Sequence, residues 1–132
     1  MHASHQTLFV VDPNQAVHDA LATLLEPTDL VVECFQTAEP FLAACASRMV
    51  DGSCLLVEAE LPGLGSLALI RRVRAQYPRI PIVVLTSTLN NDIAVEALKA
   101  GAIDVIDKPH FGVHLLDRIL GVTAGASYAT TP

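Results

Sequence analysis

Four side chains with chemical potential each close an apolar run. Asp12 follows TLFVV (7–11), Glu58 ends SCLLVE (53–58), Thr86 ends PIVVLT (81–86), and Lys108 follows AIDVI (102–106) by one residue. Two carboxylates, a hydroxyl and an amine, distant in the chain, form a site only if the fold gathers the ends of these runs at one rim. An acid closing a buried strand stands where parallel-sheet proteins keep their chemistry. Here that acid is a glutamate, one methylene longer than aspartate, and the residue after Asp12 is Pro13 rather than a second acid. Other constellations are weaker. His110 and His114 have the four-residue spacing of a helical metal pair but lack an evident third ligand. GLGS (63–66) has the order of neither a nucleophile elbow nor a phosphate loop.

The elements that would position these groups are legible as periodicity. Five runs rich in β-branched residues, the four above and LVVEC (30–34), alternate with helix-period segments. Ala16, Val17, Ala20, Leu21, Leu24 and Leu25 make the first helical stripe. Phe41, Leu42 and Cys45 make the second, and Leu67, Ile70, Val73 and Arg74 the third, with Arg71 and Arg72 outside it. Ile93, Ala94, Ala97 and Leu98 make the fourth, and Val113, Leu116 and Leu120 the fifth. Near-continuous apolar strands are expected of a parallel sheet covered on both faces, so the fold class is α/β, a doubly wound five-stranded (βα)5 sheet. Asp12 reads as a helix cap, with Pro13 suited to a first helical turn.

Composition narrows the function. A 132-residue chain is one domain by default, here read as 1–122, and 123–132 is a small, polar linker or tail. A net charge of −6 argues against direct nucleic-acid binding by this segment; if DNA is a target, another domain reads it. Apolar runs of about five residues are far short of the ~20 of a membrane span, and MHASHQ is no secretion signal, so a cytoplasmic protein is expected. Cys34, Cys45 and Cys54, odd in number and set among apolar residues, read as reduced core thiols.

Three stretches, FQTAEPFLAA (35–44), LPG (61–63) and PIVVLTSTLNNDIAVEALKAGAIDVIDKP (81–109), together with the strand-end residues, resemble the receiver domains of bacterial response regulators, most closely the FixJ type, over about residues 7–120. The resemblance implies a CheY-like sheet of order 2-1-3-4-5. It also implies a pocket in which two adjacent acids and a third-strand aspartate hold Mg²⁺, and that aspartate takes a phosphoryl group from a histidine-kinase phosphodonor. By position, Asp12 matches the first acid, Glu58 the phosphoacceptor, Thr86 the switch hydroxyl and Lys108 the phosphate-contacting lysine. Pro13 replaces the second acid, and Val105 replaces the aromatic residue that swings inward on activation.

The departures converge on one step. Mg²⁺ needs near-ideal octahedral oxygen donors, and the proline side chain supplies none. A glutamate nucleophile is displaced by a C–C bond, and about 1 Å of misplacement costs ~10²-fold in rate. No cofactor is therefore expected, with Mg²⁺ binding weak or absent, and the domain is read as a phosphorylation-independent interaction module with no enzymatic role. The alternative is a conventional phosphoacceptor that autophosphorylates with Mg²⁺. Glu58 is open to three readings: a fixed charge imitating the phosphorylated state, a decayed site, or a residual ligand site. Val95 and Val105, rimmed by Asp92, Glu96 and Lys99, suggest an association patch on the fourth helix and fifth strand. The FixJ-type resemblance implies dimerisation or contact with an output domain there. A histidine kinase, an output domain and a second copy are the expected partners.

Overall fold

The β-branched runs pair into one sheet of five parallel strands in the order β2-β1-β3-β4-β5: β1 Thr7–Val11, β2 Val31–Phe35, β3 Cys54–Glu58, β4 Ile82–Thr86 and β5 Asp104–Asp107. The chain is seen in a computed structural model that describes residues 6–47, 50, 52–88 and 90–108. The expected fifth helix, His110, His114 and the tail lie outside the described residues. Four helices connect the strands: α1 Gln15–Leu25, α2 Ala38–Ala46, α3 Ser66–Gln76 and α4 Asn91–Ala100. Among the described residues no helix is long and apolar enough to cross a membrane.

Strand alternation sorts the core into two layers. Phe9, Val11, Leu55, Val57, Ile82 and Val84 pack with residues of α2, α3 and α4. Leu8, Val10, Leu56, Val83, Leu85 and Ile106 pack with Leu21 and Leu25 of α1. Every residue of β3 and β4 is buried, as strands covered on both faces require. Phe9, Phe35 and Phe41 tie β1, β2 and α2 together, the Phe41 ring meeting the other two edge-on at centroid distances of 5.3 and 5.7 Å.

Three expectations require correction, all for the same reason: periodicity finds an apolar face but not the element that covers it. Leu98, read as part of a buried stripe, is 49% exposed, and α4 buries Ala97 and Ala100 instead. Ala16 and Ala20 are exposed, because α1 turns His18, Leu21 and Leu25 inward. Cys34 lies exposed on the edge strand β2, whereas Cys45 and Cys54 are buried as expected.

All three cysteines are reduced thiols. Burial pushes the Cys54 thiol up to about 12, and partial burial together with the charge of Asp19 raises that of Cys34. The thiolate is the reactive form. Native protein at pH 8 is therefore expected to take up one equivalent of maleimide, at Cys34 and more slowly than a free thiol, and three equivalents in denaturant; intact-mass analysis after timed quenching checks this.

Candidate functional site

The rim at the carboxyl ends of the strands is built by short local motifs. After β1 the chain turns through Asp12-Pro13-Asn14. The Asp12 Oδ1 accepts from the Asn14 amide at 2.8 Å, and the Asn14 side chain accepts from the Ala16 amide at 2.9 Å. Asn14, not Asp12, is therefore the cap of α1. Pro13 is exposed in the middle of an Asx turn, where its fixed φ suits the chain reversal. After β3, Glu58 repeats the device: its Oε2 accepts from the Glu60 amide at 2.8 Å. Each carboxylate has one oxygen held by backbone two residues on, which aims the other.

Both free oxygens are aimed at Lys108. Its Nζ lies 3.1 Å from Asp12 Oδ2 and pairs directly with Glu58 Oε1. Asp12 is 1% and Glu58 5% exposed, while the lysine side chain keeps 21% of its surface, so two buried carboxylates share one cation that still touches water. Burial of the ammonium works to lower its pKa. The hydrogen bonds to Glu58 and Asp12 and their charges outweigh it, leaving Lys108 above the ordinary lysine value of 10.5. A raised folded pKa gives stability that is complete below the unfolded value and is lost as pH rises through the folded one. Wild type should therefore lose stability relative to Lys108→Arg only above about pH 10.5, in urea titrations at stepped pH.

Thr86 stands apart. Its hydroxyl is fully buried and accepts from the Thr88 amide at 3.1 Å, with the Thr88 hydroxyl 3.5 Å away. Alternation explains the separation. Glu58 continues the series Cys54, Leu56 and Lys108 follows Ile106, both on the α1 side; Thr86 continues Ile82, Val84 on the other side. Thr86 and Lys108 are thus brought to the same rim, but only Lys108 reaches the carboxylates.

His18 was not singled out in the sequence. It is 3% exposed, and its Nε2 lies 2.7 Å from the Asp12 carbonyl oxygen. A carbonyl only accepts, so Nε2 carries the proton, and the ring pins the backbone that presents Asp12. The spacing His18, Leu21, Leu25 on one helical face was the available signal.

The donor set does not suit a divalent cation. The two convergent carboxylates are turned to Lys108, each has its second oxygen on an amide, and Pro13 offers no oxygen donor from its side chain. Among the described residues no three His, Cys, Asp or Glu side chains gather to hold a metal.

On the face of α4, Val95 is 46% exposed beside exposed Leu98 and Lys99, while Val105 is half-buried and packs against the core layer of α4. The expected pairing of two exposed valines is thus replaced by Val95 with Leu98, one helical turn apart.

Comparison with known proteins agrees with this architecture. Residues 8–120 match the model of the family described as response regulator receiver domain. The transcriptional regulatory protein FixJ of Bradyrhizobium diazoefficiens is 33% identical over 102 residues, covering 77% of this chain and 49% of FixJ. The response regulator protein TodT of Pseudomonas putida is 33% identical over 112 residues, covering 85% of this chain and 48% of TodT. The chain spans about half the length of these relatives. Among solved structures, FixJ-N superposes with a TM-score of 0.80 at 29% identity, covering 93% of this chain and 97% of that one. A response regulator from Thermotoga maritima gives 0.82 at 27% identity, covering 92% and 100%.

Proposed function

The chain belongs to the response regulator receiver domain family, and from that premise we propose that it is an atypical receiver, a signalling module that works through protein contact without phosphoryl transfer. One observation carries the reading: the Lys108 ammonium, in the position that contacts the phosphoryl group in conventional receivers, is already engaged by Glu58 and Asp12. Glu58 holds a negative charge toward that lysine permanently. It imitates the charge of a phosphorylated pocket, although one carboxylate is less than the charge near −2 and three acceptor oxygens of a phosphoryl group. Thr86, which matches the switch hydroxyl, is bonded to the Thr88 amide, and Val105 is too small to serve as an aromatic switch.

Because the FixJ relatives, about twice this length, are transcriptional regulatory proteins, the module is assigned to transcription-linked two-component signalling, with a histidine kinase or an output domain as partner and no direct contact with nucleic acid. The α4 and β5 surface, with Val95, Leu98 and Lys99, is the contact face for an output domain or a second copy. Sedimentation at high concentration should show wild type self-associating and Val95→Asp monomeric; identical monomers would remove the homodimer.

The test of the main reading is incubation with acetyl phosphate and Mg²⁺ followed by intact-mass measurement. Wild type should gain no phosphoryl group, whereas a stoichiometric gain would make it a conventional phosphoacceptor.

A further inference from the structure

Between the loop after β3 and the first turns of α3 and α4 lies a cavity of about 310 Å³, at the small end of the range for ligand pockets. Its walls are apolar, formed by Leu67, Val84, Ile93 and Ala97, and its mouth carries Glu60, Asp92 and Glu96, all exposed. The Ser66 hydroxyl donates to the Ala59 carbonyl at 2.7 Å, so it is not spare for an anion. Two helix N-termini meet here, each worth about +0.5 charge, but three full carboxylates exceed them. None of the three has an ion-pair partner among the described residues.

We propose that this cavity is a docking seat for an arginine side chain presented by a basic segment of a protein partner. An apolar shaft ending in acids matches a methylene stem ending in a cation, and a guanidinium divides its planar donors among several carboxylates where an ammonium cannot do so as well. The chain's net charge of −6 steers a basic segment toward it. This seat lies across α4 from Val95 and Leu98, and it holds whether or not Glu58 accepts a phosphoryl group.

The probe is a hexapeptide bearing one arginine among alanines and a leucine, titrated into the ¹⁵N-labelled full chain. The control peptide carries citrulline, neutral and of the same shape, at that position. Saturable amide shifts centred on Ala59, Ile93 and Ala97 are expected with arginine, at least tenfold weaker with citrulline. The loss should be similar for Asp92→Asn with Glu96→Gln, surface changes that leave amide dispersion intact, and for Leu67→Trp, which fills the shaft. Absence of shifts, equal binding of citrulline, or unchanged binding by the double variant overturns the proposal. So does a wild-type dimer dissociated by Arg71→Glu, which would give the seat to a second copy.

Discussion

Lys108→Met should destabilise the domain by about 3 kcal/mol at pH 7.5, the largest single-residue effect expected outside the apolar core. Removing one partner of a buried ion pair costs ~3–5 kcal/mol because it strands the other charge, and the partial exposure of Lys108 places this case at the lower end. Here two carboxylates, 1% and 5% exposed, are stranded together. The loss is that of two like charges left without their counter-ion. Adding Glu58→Gln should recover part of it at neutral pH, because one stranded charge is then gone. Urea unfolding of the wild type, both single variants and the double variant would measure this, and a loss below about 1 kcal/mol for Lys108→Met would mean that solvent already satisfies both acids.

The second large effect is a gain. Pro13→Asp combined with Glu58→Asp should raise the rate of labelling by acetyl phosphate and Mg²⁺ at least ~10²-fold over wild type. Shortening residue 58 withdraws its carboxylate by one C–C bond and loosens its hold on Lys108, while an acid at residue 13 supplies the missing oxygen donor. Pro13 is exposed and its ring lies in an Asx turn that Asp12 and Asn14 sustain by themselves, so the fold should tolerate the change. Each single substitution should do less than the pair, since phosphoryl transfer depends on both positioning and charge neutralisation. If the pair stays unlabelled while well folded, the two positions are not what silences the site.

Much of this arrangement could be read before any coordinates. The first strand is found at the predicted residues, and the convergence of Asp12, Glu58 and Lys108 followed from their places at the ends of parallel strands. The fifth strand begins later than its apolar run suggests, because the amides of Gly101 and Ala102 still bond to the Ala97 carbonyl as α4 ends. What sequence did not provide was direction. Thr86 and Glu58 both close buried strands as their fifth residue, yet the register between β3 and β4 sets Glu58 level with Leu85, so Thr86 falls on the opposite side of the sheet. Cys34 and Leu98 are apolar enough for a core, but nothing in their own segments reveals that one lies at a sheet edge and the other on an outward helical face.

Arg74 of α3 reaches the Gly101 carbonyl at 2.7 Å with one nitrogen and the Pro78 carbonyl at 2.7 Å with another. Gly101 has φ of +128°, and a Cβ there would press on the Arg74 side chain at 3.0–3.2 Å, so glycine is what lets this clasp close. The clasp anchors only the trailing end of α4. Any tilt of that helix must then swing like a boom on a mast, with the longest arc at Asn90, beside the Thr86–Thr88 bond that ends β4.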